Sequence, residues 1–124
     1  MEIVISNSAG KPIYEQITAQ IKQKILTGEL KAGDALPSMR FLAKELRISV
    51  ITTKRAYEDL ERDGFLYTVV GKGSFVASTN RELLKEEQLK GIEEYLLQAV
   101  ERAKQCEMSL DELLRMLSVI YEEE

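Results

Sequence analysis

Between Ser38 and Arg55 the chain carries five cations, Arg40, Lys44, Arg47, Lys54 and Arg55, against one acid, Glu45, a balance of +4 over eighteen residues. Guanidinium and ammonium groups at this density suit one chemistry above others, the donation of charge-assisted hydrogen bonds to phosphate. A solvated helix face is the plainer reading, and charge alone does not choose between the two. Other chemistries are ruled out by what is missing. With no histidine and a single cysteine, neither a zinc site nor a Ser-His or Cys-His nucleophile pair can be assembled. Acids are plentiful, yet none stands in a Walker-like, glycine-rich or paired-carboxylate setting. The expectation is a protein that is not an enzyme and needs no cofactor and no metal. Cys106 cannot form an internal disulfide and reads as a small apolar filler, or else as a reactive thiol.

The cations sit in a chain whose net charge is −4, and the two signs are unevenly shared. Residues 1–78 hold eleven Lys/Arg against nine Asp/Glu, a balance of +2, and residues 79–124 hold six against twelve, a balance of −6. A near-neutral head with a basic stripe and an acidic tail suggests a bipartite protein of 124 residues, one small domain and an appendage. No apolar run approaches the ~20 residues that span a bilayer. The opening Met1-Glu2-Ile3-Val4-Ile5-Ser6 has no basic region and too short an apolar stretch for a secretory signal. A soluble, cytoplasmic protein without a membrane partner is expected.

The elements that must position the cations can be read from periodicity. After an extended lead, Ile3 to Ile5, and a flexible Ser8-Ala9-Gly10, Pro12 opens a helix as its first helical residue. Ile13, Ile17, Ile21 and Ile25 give it one apolar face, and Gly28 stops it. Lys31 to Pro37 is a turn-rich connection. Ser38 caps a helix of about two turns carrying Phe41, Leu42, Ala43 and Leu46; Arg47-Ile48 turns tightly; Ser49 caps a longer helix. There Thr53, Ala56, Tyr57 and Leu60 share a buried face, leaving Ile51, Arg55, Glu58 and Arg62 opposite, before Gly64 ends it. That order is the grammar of a helix-turn-helix. Phe65 to Val70 and Ser74 to Ala77 read as strands joined by Gly71-Lys72-Gly73, a hairpin where a wing would stand. Tyr14, Phe41, Tyr57, Phe65 and Phe75 are assigned to the core.

From Thr79 the register changes. Thr79 with Glu82, and Ser109 with Glu112, have capping-box spacing. Leu89, Ile92, Leu96, Ala99, Ala103 and Cys106 follow a 3-4 rhythm, and Leu110, Leu113, Leu114, Leu117 and Ile120 mark a second helix after a break near Glu107–Ser109. Two such helices have too little core to stand alone, so a second copy of the chain is the expected partner. Leu89, Ile92, Leu96, Ala99, Ala103, Leu113 and Leu117 are the expected dimer interface. The fold class is mainly α with a small β-wing: an N-terminal winged helix-turn-helix over residues 1–78, then a two-helix C-terminal dimerisation tail over 79–124.

These residues also carry a family resemblance. Pro12-Ile13-Tyr14-Glu15-Gln16-Ile17, Gly28-Glu29-Leu30-Lys31-Ala32-Gly33-Asp34 and Leu36-Pro37-Ser38-Met39-Arg40-Phe41-Leu42-Ala43 resemble the GntR family of bacterial regulators. Ser49 to Tyr57, Leu60-Glu61, Asp63-Gly64 and Gly71-Lys72-Gly73-Ser74-Phe75-Val76 continue it in order. The short acidic tail is similar to that of the YtrA-like subfamily, having no room for the large effector domains of most relatives. The resemblance implies a DNA-binding transcription regulator, a repressor by default, dimerising through the tail and often acting on transporter operons.

On that reading the start of the second motif helix enters the major groove and presents Val50, Ile51, Thr52 and Lys54. Lys54 and Arg55 can meet phosphate or guanine edges, although Arg55 also fits a solvated surface charge. Arg40 takes its DNA role from the resemblance. Ser38 and Ser49 are caps whose hydroxyls can also lie near phosphate. Gly71 lets backbone approach the sugar-phosphate chain and Lys72 can lie along the minor groove, unless the hairpin is an ordinary one with a solvated lysine. One departure stands out: many relatives have arginine or proline and then threonine where this chain has Val50 and Ile51. Neither side chain can hydrogen-bond a base, but both can pack on a thymine methyl. The expected partner is a roughly palindromic double-stranded DNA operator with half-sites about one helical turn apart.

Two alternatives remain open in the sequence. A winged helix can serve as a protein-interaction module in a larger complex, and the tail could sense a small molecule or metal between its helices. The tail's acids are otherwise a solvated face, and any effector is unknown.

Overall fold

The computed structural model describes residues 1–8, 10–78 and 81–123. Its elements are α1 (Ile13–Leu26), α2 (Met39–Leu46), α3 (Val50–Arg62), β1 (Leu66–Val69), β2 (Gly73–Val76), α4 (Arg81–Gln105) and α5 (Leu110–Glu123). The chain divides into two units, Met1–Asn80 and Arg81–Glu124. Ala9 and Thr79, the latter the expected cap partner of Glu82, lie outside the described residues.

In the first unit α3 is central and packs against α1, α2 and β1. The four-residue spacing in α1 does what it predicts: Ile17, Ile21 and Ile25 are buried. Thr53, Ala56, Tyr57 and Leu60 meet them from α3, with Leu42 and Ala43 from α2 and Phe65, Leu66 and Val76 from the hairpin. Full burial of an aliphatic or aromatic side chain of this size is worth about 1.5–3 kcal/mol, so this cluster dominates the head's stability.

Several details differ from the pattern read in the sequence. Pro12 is the N-cap of α1, not its first helical residue: its φ of −55° suits a helix but its ψ of 149° does not. Phe41 is not core, being 55% exposed, while its neighbour Leu42 turns inward. The buried positions of this eight-residue helix are Leu42 and Ala43. Two glutamines of α1 hold the lead that precedes it. Gln20 accepts from Val4 N–H at 2.9 Å and donates to Val4 O at 2.7 Å. Gln16 does the same to Ser6, at 2.8 and 2.9 Å. Two residues of extended chain and four of helix both advance about 6–7 Å, so the amides fall in step with the backbone.

The wing is tied down by a pairing that the sequence did not announce. Besides the antiparallel register Leu66↔Val76, Tyr67↔Phe75, Thr68↔Ser74 and Val69↔Gly73, Ala35 forms a bridge with Phe75. Leu36 N–H donates to Ser74 O at 2.9 Å and Val76 N–H to Asp34 O at 2.9 Å. The segment leading into α2 is thereby pinned beside β2 by a single isolated bridge. Tyr67 and Phe75, cross-strand partners, stack at 5.5 Å on the outer face.

In the second unit α4 runs for 25 residues and α5 for 14. Between them Glu107 has φ +60°, and Met108 N–H donates to Ala103 O at 2.8 Å, closing α4. Ser109 then caps α5, accepting from Glu112 N–H at 3.2 Å with Glu112 Oε1 also 3.2 Å from its hydroxyl. Ala103 is the buried apolar residue of this unit among those described, whereas Leu89, Ile92, Leu96, Leu114, Leu117 and Ile120 are exposed. No helix among the described residues is long and apolar enough to cross a membrane.

Candidate nucleic-acid interface

The helix-turn-helix is built from its caps. Ser38 Oγ accepts from Phe41 N–H at 3.1 Å and Ser49 Oγ from Ile51 N–H at 3.1 Å, so both expected cap serines start their helices. Each hydroxyl still has its proton to donate. Between the helices, Arg47 sits in the left-handed conformation (φ 57°) and Ile48 N–H donates to Ala43 O at 3.0 Å. This closes α2 and reverses the chain into Ser49.

Two hydroxyls one turn apart on α3 then join the two helices. Thr53 Oγ1 shares its one proton between Met39 O at 3.0 Å and Val50 O of its own helix at 2.9 Å, and Tyr57 Oη donates to Pro37 O at 2.8 Å. Burial pushes the Tyr57 phenol well above its ordinary value near 10, which keeps it a neutral donor even in alkaline solution. The residues on either side of Ser38 are thus bolted to the buried face of α3. In the sequence Thr53 and Tyr57 read only as packing positions; a hydroxyl at both was the available signal.

The expected contact residues lie outside this framework. Arg40 is exposed. On α3, Val50 is 43% and Ile51 78% exposed, Thr52 is half-buried, and exposed Lys54 lies 3.9 Å from Glu58. Arg55 is held against α1, stacked on Tyr14. Tyr14, read as core, is only half-buried. At the wing, Lys72 N–H donates to Val69 O at 2.9 Å and Gly71 has φ +80°, the third-position conformation a type II turn requires. Gly71 and Lys72 are exposed, and Val70, expected in the strand, stands beyond β1 at the same tip, 97% exposed. In the tail, Leu89, Ile92, Leu96 and Leu117 are exposed and Ala99 and Leu113 half-buried. Ala103, expected in the dimer interface, is already covered within its own unit near Val100, Met108 and Leu113.

No cluster of three or more potential metal-ligating side chains occurs among the described residues. The arrangement can donate hydrogen bonds and positive charge to an extended anion, with apolar side chains beside them.

Comparison with known proteins finds relatives in sequence and in fold. The family of bacterial regulatory proteins described as gntR matches residues 13–76. The HTH-type transcriptional repressor YtrA of Bacillus subtilis is 36% identical over 111 residues, covering 90% of this chain and 85% of that protein. A GntR family transcriptional regulator from Listeria monocytogenes superposes with a TM-score of 0.73 at 27% identity, over 92% of this chain and 97% of the other. The DNA-binding domain of AraR, solved in complex with operator ORX1, gives a TM-score of 0.55 at 29% identity over 62% of this chain and 96% of its own.

Proposed function

We propose a specific activity for this chain, which belongs to the GntR family of bacterial regulatory proteins and is YtrA-like within it: it is a homodimeric repressor that reads a roughly palindromic operator. DNA-binding transcription regulation is the family's work, and it is not an enzyme class. Residues 1–78 carry the DNA contact and residues 79–124 the dimer contact. The start of α3 enters the major groove, where Thr52 and Lys54 supply hydrogen bonds and Val50 and Ile51 pack on thymine methyls. Arg40 reaches in from α2, Arg55 meets the backbone, and Ser38 and Ser49 donate their remaining protons to phosphates. Gly71 and Lys72 follow the minor groove. The protein works in the cytoplasm, where its DNA is, and a transporter operon is the proposed target by the YtrA-like resemblance alone.

The observation that carries the reading is the pair of bonds from Thr53 and Tyr57 to the start of α2. They fix two helix N-termini beside each other while the basic and apolar side chains of both stay at the surface. A pre-organised surface of this kind loses little freedom on meeting a rigid duplex. Selection from a random duplex pool, followed by fluorescence anisotropy over about 50–300 mM salt, tests it. A selected site with two-fold symmetry and affinity that falls steeply with salt is expected. Failure to enrich any sequence, or affinity indifferent to salt, would sink the reading.

A further inference from the structure

Tyr14 of α1 and Arg55 of α3, 41 residues apart in sequence, are in direct contact. The guanidinium carbon lies 3.8 Å from the centre of the tyrosine ring. Nη2 donates to the Tyr14 hydroxyl at 3.1 Å, and that hydroxyl donates to Glu15 Oε1 at 3.3 Å. One arginine is thus held by its face and by one of its N–H groups, leaving most of its five donors for something else. The Glu15 carboxylate reaches it only through that hydroxyl. The acids three and four residues further along α3 are taken by other cations: Glu58 lies 3.9 Å from Lys54 and Asp59 is 3.0 Å from Arg62. Arg55 follows Ile51 by one turn and so shares the exposed face of the helix.

We propose that Tyr14 is a positioning residue for DNA binding: its ring and hydroxyl hold the Arg55 guanidinium as a fixed donor for one phosphate of the DNA backbone, beside the bases that the start of α3 meets. A free arginine loses rotamer entropy when it binds an anion, and stacking removes that freedom beforehand. The contact is to the backbone, so it acts on any sequence. This assignment rests on the DNA-binding reading above.

The test measures anisotropy for wild type, Tyr14→Phe, Tyr14→Leu, Arg55→Gln and the Tyr14→Leu/Arg55→Gln double variant. Each is titrated against the duplex selected by wild type and against an unrelated duplex of equal length, over about 50–300 mM salt. Arg55→Gln is expected to weaken both complexes on the order of tenfold near 0.1 M salt and to make the slope of log K against log salt shallower by about one. Tyr14→Leu reproduces most of that loss with a shallower slope, Tyr14→Phe, which keeps the stack, reproduces less, and the double variant matches Arg55→Gln. A tyrosine that merely packs would leave the slope alone. Arg55→Gln binding as wild type does, or Tyr14→Leu adding to Arg55→Gln with no change of slope, overturns the proposal and leaves the DNA-binding reading intact. Wild type binding neither duplex overturns both. Should Tyr14→Leu fail to fold, Tyr14→Phe and the surface change Arg55→Gln still decide: a tyrosine hydroxyl and an arginine charge that can each be removed without cost at low salt refute the clamp.

Discussion

Val50 and Ile51 occupy the first two positions of α3, where a family resemblance leads one to expect arginine or proline and then threonine. An apolar side chain left 78% exposed, as Ile51 is, gains by being covered, at about 25 cal/mol per Å² of surface removed from water. In a major groove the apolar surface on offer is the thymine methyl. Ile51→Ala should therefore cost about 1–2 kcal/mol on the selected site and relax its preference for thymine at one position. Replacing that thymine by deoxyuridine in the DNA should remove the same increment from wild type and nothing further from Ile51→Ala. If site selection with Val50→Ala and Ile51→Ala returns the wild-type sequence at wild-type affinity, thymine methyls are not being read. At this scale the sequence was legible where a residue's role is local. Ser38 and Ser49 cap because a short hydroxyl before an apolar run has one obvious use. It was opaque where the role depends on a distant element, as with Tyr14, whose partner is on another helix, and Phe41, whose neighbour won the inward position.

The three helix ends at Arg47, Gly64 and Glu107 share one geometry: a residue with positive φ, followed by one whose N–H reaches back five residues, 2.8–3.0 Å from its acceptor. Gly64 is suited to it and the other two are strained, since a Cβ in the left-handed region costs roughly 1–2 kcal/mol. Glu107 is doubly misplaced, because its charge also opposes the negative end of the α4 dipole. Glu107→Gly should raise stability by about 0.5–1 kcal/mol, the relief of strain outweighing the larger entropy of glycine in the unfolded chain. Thermal unfolding at fixed protein concentration should show the midpoint rise by a few degrees; a lower midpoint would contradict it. The helices themselves were legible because Ile13-Ile17-Ile21-Ile25 and Thr53-Ala56-Tyr57-Leu60 repeat at the helical period, the second behind the Ser49 cap. The bridge at Ala35 was not, since a single pairing leaves no alternation to read. The role of Gln16 and Gln20 was hidden for another reason: on a helical wheel they are merely polar, and only the fold brings the lead alongside them.

At the scale of the whole molecule the two units divide both charge and apolar surface. The head has a buried core of its own beside exposed side chains such as Ile51 and Val70, while the tail leaves Leu89, Ile92 and Leu96 open along one side of α4 at three- and four-residue spacing. A 25-residue helix extends about 37 Å at 1.5 Å per residue, long enough for a stable seam when paired with a second copy. Pairing would also multiply affinity, because two heads on one operator bind with an effective concentration that raises avidity by about 10²–10⁴. Leu96, 45% exposed in a single chain, ends this row within the body of α4. A carboxylate there would be driven out of water without a counter-charge when two copies meet, at a cost of several kcal/mol. Leu96→Asp should therefore give a monomer by light scattering, keep the helical content of wild type by circular dichroism, and lose at least a hundredfold in affinity for the full operator. Its affinity for a half-site should be that of one wild-type head. Gln98→Asp, on another side of the same helix, adds the same charge and should stay dimeric. If Leu96→Asp remains a dimer with full operator affinity, the α4 row does not carry the interface, and the exposed side chains of α5, led by Leu117 and Ile120, must carry it instead.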